Sequence, residues 1–145
     1  MPTIKSTYSG QLRCELTHEQ SNTKIESDAP TDNNGKGERF SPTDLLSASL
    51  GACMMTIMAI RAEKSDLELG TVSCETDKIM ESNPRRVGAL DLILELDNNL
   101  KEEQRVLLEK AAMACPVAQS LHPDIKVKVL FRYSDGREME YNKLG

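Results

Sequence analysis

The stretch from Phe40 to Arg61, FSPTDLLSASLGACMMTIMAIR, constrains the fold of this chain more than any other. From Leu45 to Ile60 it runs sixteen residues without a charge. Its start is well marked. Ser41 has the chemistry of an N-cap, and Pro42 suits the first helical position. Asp44 falls in the first turn, where the helix dipole favours a carboxylate. Arg61 and Lys64 suit a last turn, so the helix is expected to end near Lys64 or Ser65. A helix that is apolar on every side is expected to be buried on every side. Sixteen residues fall short of the roughly eighteen that suggest a membrane span, so a membrane is not an expected partner. The prediction is a central core helix, and that helix carries a thiol, Cys53, in its middle.

The rest of the composition narrows the class. With 145 residues, one domain over residues 1–145 is expected, with a core of useful size. The formal charge of -5 comes with no Lys/Arg stripe, and aromatic residues make up 3% with no Trp, so nucleic acid is not an expected partner. The start, MPTIKSTYSG, lacks the apolar run of a signal peptide, which points to the cytoplasm. Four cysteines, Cys14, Cys53, Cys74 and Cys115, are scattered without a CxxC pair. In a reducing compartment they are expected to be thiols. With His18 and His122 as the only histidines, neither a metal nor another cofactor is expected.

The predicted order of elements is a β-hairpin and a strand, a helix, strands, a helix and a strand. Ile4, Ser6 and Tyr8, then a Ser9-Gly10 turn, then Leu12, Cys14 and Leu16 alternate as a hairpin does. Thr23 to Ala29 follows as a third strand, and residues 30–39 form a loop. Val72, Cys74 and Met80 suggest a strand, Asn83-Pro84 a turn, and Leu90, Leu92, Leu94 and Leu96 a strand with one buried face. Asn99 with Glu102 resembles a capping box for a helix from about Leu100 to Ala114. Its inward stripe would be Leu100, Gln104, Leu107/Leu108, Ala111 and Cys115. Pro116 breaks that helix, and a short piece, Val117 to Leu121, follows. Ile125, Val127, Val129, Phe131 and Tyr133 alternate cleanly, and the tail REMEYNKLG suits an edge strand. The fold class is α+β, with antiparallel sheet covering buried helices.

Two thiols are candidates for chemistry. Ser49, Cys53 and Thr56 share a helix face, a polar stripe that either meets a polar partner or back-bonds to helix carbonyls while Cys53 only packs. Gly51 costs roughly 1 kcal/mol against Ala in mid-helix, which suggests close approach of a second helix, from this chain or from a partner. Cys115, just before Pro116, stands at a local helix start, where a thiolate is favoured, so it is the expected low-pKa thiol. Cys53, in apolar surroundings, should be raised unless a cation is near, and Arg13 and Arg39 are the candidate suppliers. Cys14 and Cys74 are expected to be core thiols. A Cys-His hydrolase would need His18 or His122 beside a cysteine.

The segments FSPTDLLSASLGAC, MMTIMAIRAEK, NPRR at residues 83–86 and LEKAAMACPVAQSLHPDIKV together resemble the OsmC/Ohr family, the osmotically inducible and organic hydroperoxide resistance proteins. The resemblance spans nearly the whole chain, most clearly from Gly35 to Val129. It implies an OsmC-like fold: a curved antiparallel sheet packed on a long central helix, in an intertwined homodimer. It implies a thiol peroxidase that reduces organic hydroperoxides, and more weakly hydrogen peroxide, with no metal or flavin. Cys53 then matches the peroxidatic thiol and Cys115 the resolving one, while an arginine lowers the Cys53 pKa. A dithiol, such as a lipoylated protein, would return the pair to thiols. Met54, Met55 and Met58 would suit an organic peroxide tail, or serve only as core filler.

The chain also departs from that pattern. The peroxidase branches hold their arginine with a glutamate early in the long helix, and the matching position here is Thr43. Asp44 is adjacent but points about 100° away. For the arginine itself Arg13 is the first choice and Arg39 the second. These departures imply an OsmC-like side branch with weaker activity. Two rival functions follow: a non-catalytic homodimer that binds an apolar ligand, favoured by the missing glutamate, and a thiol redox sensor. Retention of both cysteines favours the enzyme.

Overall fold

The computed structural model describes residues 1–143. The last two residues of the predicted edge strand, Leu144 and Gly145, lie outside that range. The chain forms two compact units, Met1–Leu46 and Ser47–Gly145, and the boundary falls inside the long helix.

The first unit is a three-stranded antiparallel sheet of β1 (Ile4–Gly10), β2 (Arg13–His18) and β3 (Lys24–Asp28), in that order. The hairpin turn falls at Gln11 and Leu12, with φ of 55° and 63°, rather than at Ser9-Gly10. Two successive left-handed residues match the twist of paired strands better than one glycine would, and Gly10 instead takes up a register shift. Among the described residues of this unit no hydrophobic side chain is buried, and the buried ones are Ser27, Asp28 and Ser41.

Helix α1 (Pro42–Lys64) starts and ends where its caps predict. Ser41 Oγ accepts the Asp44 N–H and Asp44 Oδ2 accepts the Ser41 N–H, each at 3.0 Å. Asp44 therefore closes a reciprocal capping box with Asp in place of Glu, beyond its favourable charge. The helix is longer than its uncharged run, and an 18-residue window reaches a mean hydropathy of 1.6. By length and composition alone it is the one helix among the described residues that could cross a membrane. Its inner face is instead packed in a protein core.

The second unit holds a four-stranded sheet in the order β4 (Thr71–Glu81), β5 (Arg86–Asp97), β6 (Lys126–Tyr133), β7 (Glu138–Lys143). The expected all-antiparallel sheet is not found, because β5 and β6 run parallel. The chain between them is a crossover through α2 (Glu102–Met113) and α3 (Pro116–Ser120). A connection of that kind returns a strand in the direction it left. Leu90, Leu92, Leu94 and Leu96 are buried as their alternation predicts, with Val127, Val129, Phe131 and Tyr133 beside them. Leu50, Met54, Met58 and Ala62 of α1, Leu108 and Ala112 of α2, and Cys115 belong to the same core.

Three expectations about the helices need correction. First, α1 is not buried all round. Ser47, Leu50, Gly51, Met54, Met58 and Ala62 form one buried stripe, while Leu46, Ala52, Thr56 and Ile60 are exposed. Second, Gly51 is approached by a strand, not a second helix: a Cβ there would lie 2.9 Å from Cys74 Sγ on β4. Third, α2 is capped at Lys101, whose N–H donates to Gln104 Oε1, rather than at Asn99. Its inward stripe is Arg105, Leu108, Glu109 and Ala112, and Leu107 is exposed. A pattern of apolar residues could not find Arg105 and Glu109, because buried charges depend on partners distant in the chain.

Candidate redox site

Cys53 and Cys115 both belong to the second unit, and there they are neighbours, near enough for the Cys53 side chain to act on the ionisation of the Cys115 thiol. Two elements bring this about. The buried stripe of α1 fixes that helix on the core and leaves Cys53, off the stripe, half-buried. Cys115 is the N-cap of α3, extended at φ -64° and ψ 155°, with Pro116 at the first helical position as its sequence predicts. Its own N–H donates to Ala112 O at 3.1 Å, so the residue hangs from the last turn of α2. All four cysteines are free thiols.

The electrostatics of Cys115 reverse the expectation of a low pKa. The Ala118 and Val117 N–H groups do favour its thiolate. Burial is the larger effect, however, and it pushes the thiol up, with the neighbouring Cys53 adding to the rise. Cys115 is 0% exposed, so a charge there loses all its hydration, while two backbone dipoles restore only part of it. Cys74 is also raised, by burial first and by Glu75, and it packs on Gly51. Both expected core thiols, Cys14 and Cys74, are only half-buried, and Cys115 is the buried cysteine.

The remaining candidates are distributed as follows. Arg13 and Arg39 belong to the first unit. Arg13 donates from Nε and Nη2 to the two oxygens of Asp28, at 2.6 and 2.9 Å, and also reaches Glu38. Asp28 is 2% exposed. The Arg13 guanidinium holds its carboxyl below the usual value, aided by the Glu38 N–H. Arg39 pairs with Glu26. Thr43 Oγ1 contacts Ser41 Oγ at 3.3 Å, so Thr43 and Asp44 both engage the helix cap. Ser49 is half-buried, and Thr56 Oγ1 back-bonds to Ala52 O at 2.8 Å, the simpler of its two readings. Met54 and Met58 are core filler, and Met55 is half-buried. His18 engages Ser21, and His122 accepts the Asp124 N–H. In the NPRR turn Arg86 pairs with Glu81 and Asp124.

Sequence reasoning missed two buried carboxylates, Asp28 and Glu109. Asp28 closes β3 opposite Arg13 in the strand register, a pairing that no local signal contains. Glu109 carried one faint signal, a carboxylate beside the apolar Leu108 on the helix that leads to Cys115.

Comparison with known proteins adds the lineage. The OsmC-like protein family matches residues 35–130. A solved structure from Psychrobacter arcticus, of a protein named for osmotic stress induction and detoxification response, is similar at 43% identity and a TM-score of 0.87. That match covers 91% of this chain and 96% of the other. An organic hydroperoxide resistance protein from Legionella pneumophila matches at 19% identity and a TM-score of 0.68, over 90% and 97% of the two chains. One from Bacillus subtilis matches at 18% and 0.64, over 90% and 98%. At those identities the last two likenesses carry the fold. No curated protein matches the chain.

Proposed function

The chain belongs to the OsmC/Ohr family, and from that premise we propose that it is a thiol-dependent peroxidase that reduces organic hydroperoxides, and hydrogen peroxide more weakly. The observation that carries this reading is that Cys53 and Cys115, far apart in the chain, lie near enough for the Cys53 side chain to act on the Cys115 thiol. In the proposed cycle the Cys53 thiolate attacks one oxygen of the peroxide. The O–O bond breaks, the departing alkoxide takes a proton and leaves as the alcohol, and Cys53 becomes a sulfenic acid. Cys115 then attacks that sulfur, the S–O bond breaks, and water leaves. The resulting disulfide stops oxidation before the irreversible sulfinic step. A dithiol, such as a lipoylated protein, takes over the disulfide and restores both thiols.

Cys53 is the proposed peroxidatic residue and Cys115 the resolving one. Arg13 is the proposed cation for the Cys53 thiolate, with Arg39 second. A residue that cannot lose its charge suits that task. Position 43 carries no carboxylate, but Arg13 does not lack one: Asp28 grips it through two hydrogen bonds. Thr43, Asp44 and Ser49 have supporting roles in this proposal, the first two through the helix cap. A cytoplasmic homodimer working without metal or flavin completes it, with neither nucleic acid nor membrane as a partner.

The test is a thiol count. Reduced protein treated with cumene hydroperoxide is expected to lose two thiols per chain rapidly, and Cys53→Ser to resist. Unchanged thiols in the wild type would reject peroxidase and sensor together and leave the ligand-binding reading. Steady turnover with a lipoyl dithiol separates a peroxidase from a sensor that oxidises once.

A further inference from the structure

Glu109 is the least expected residue in the second unit: a carboxylate 0% exposed on a helix packed against the sheet. Its Oε2 accepts from Tyr133 Oη at 2.7 Å and from Arg137 Nη1 at 2.6 Å, and its Oε1 accepts from Tyr141 Oη at 3.0 Å. Arg137 also holds Glu102, two turns earlier on α2, with contacts at 2.5 and 2.6 Å. The Tyr133 ring lies 4.1 Å from the Arg105 guanidinium and 5.1 Å from that of Arg137. So α2 is fastened to the β6–β7 hairpin by directional bonds at both Glu102 and Glu109.

Apolar residues of similar volume would hold a helix on a sheet as well or better, because a buried ion pair recovers little beyond its desolvation cost. Directional bonds do something apolar packing does poorly: they fix a helix against sliding and rotation. What α2 carries at its end is Cys115, less than two turns beyond Glu109 and tied to Ala112 O. The element after it is tied to the same hairpin, since Lys143 Nζ of β7 donates to Ala118 O at 2.5 Å.

We propose that Glu109 is a positioning residue for disulfide formation: bonded to Tyr133, Arg137 and Tyr141, it sets the placement of α2 that keeps the Cys115 thiol against Cys53. This rests on the two-thiol chemistry proposed above. The step it serves is the attack of the Cys115 thiol on the Cys53 sulfenic sulfur, which forms the S–S bond and releases water.

The test separates this step from the one before it, in the full-length protein. Oxidation of Cys53 by cumene hydroperoxide is timed in a Cys115→Ser background. Resolution is timed, with Cys115 present, by the decay of dimedone-trappable sulfenic acid. Glu109→Gln is expected to leave the first rate within about twofold and to slow the second about tenfold, the scale set by misplacing a reacting group by a fraction of an ångström. The disulfide should also become about tenfold less favoured in dithiothreitol redox buffers, a readout independent of peroxide. Tyr141→Phe, which removes one hydrogen bond, should slow resolution about twofold. A folded Glu109→Gln protein with unchanged resolution and disulfide equilibrium would overturn the proposal, as would equal slowing of both steps. Where Glu109→Gln does not fold, unchanged resolution in Tyr141→Phe overturns it. A wild type inert to peroxide would sink the peroxidase reading alone, and the redox-buffer equilibrium would still decide the role of Glu109.

Discussion

At the scale of single residues, Cys115 shows two effects of opposite sign on one thiol. Backbone N–H groups of Val117 and Ala118 favour its anion, and burial disfavours it more. The outcome is a thiol held above the usual cysteine value, so at neutral pH its thiolate fraction is below that of an exposed cysteine. The thiolate is the attacking form, so this fraction limits the closing of the proposed disulfide. Raising the pH populates it, and the upward shift moves that gain to higher pH. Resolution of the Cys53 sulfenic acid is therefore expected to keep accelerating above pH 9, when dimedone-trappable sulfenic acid is followed in buffers of increasing pH. A rate that levels off below pH 8 would show that the dipoles prevail over burial. Local sequence could reveal the dipoles, because Pro116 marks a helix start. It could not reveal the burial, which is supplied by strands and by α1 from other parts of the chain.

At the scale of elements, Gly51 shows how a correct inference can carry a wrong partner. A glycine in mid-helix does mark a close approach, but the approaching group is Cys74 Sγ on β4, 2.9 Å from where a Cβ would stand. Gly51→Ala alone should thus be neutral or destabilising, with the helix-propensity gain offset by the crowded sulfur. In a Cys74→Ala background the same change should stabilise by about 0.5–1 kcal/mol. Urea midpoints for the four proteins of the cycle measure this coupling, and additive effects would reject the contact. The same contrast explains what was legible. The strands of alternating leucine and valine, the caps of α1 and the break at Pro116 are local patterns, and they were read close to their true limits. The parallel pairing of β5 with β6, the inward Glu109 and the Arg13–Asp28 pair each join residues from distant segments, and no window of the sequence contains both sides. The two thiols were found through a family pattern; the residues themselves left Cys53 between packing and chemistry.

At the scale of the whole molecule, the apolar surface is what one copy of the chain leaves unfinished. Along α1, Leu46 is 41% and Ile60 43% exposed, with Ala52 between them also exposed. In the first unit Ile4, Tyr8, Leu12, Ile25 and Phe40 are exposed, and no described hydrophobic residue there is buried. A three-stranded sheet without an apolar core is marginal in water by itself. A second copy of the chain is the proposed cover, since an obligate dimer interface resembles a domain core cut in half. The wild type is then expected to scatter light at about twice its 16.1 kDa chain mass at micromolar concentration. A charge on the exposed face of α1 would be trapped without a partner, at a cost of several kcal/mol per site. The double variant Leu46→Glu, Ile60→Glu is therefore expected to scatter as a single chain and to melt at lower temperature, because each copy loses the cover for its apolar face. A wild type that scatters at the single-chain mass, or a double variant that stays paired with an unchanged melt, would mean that this face meets water and that the helix is held by its inner stripe alone.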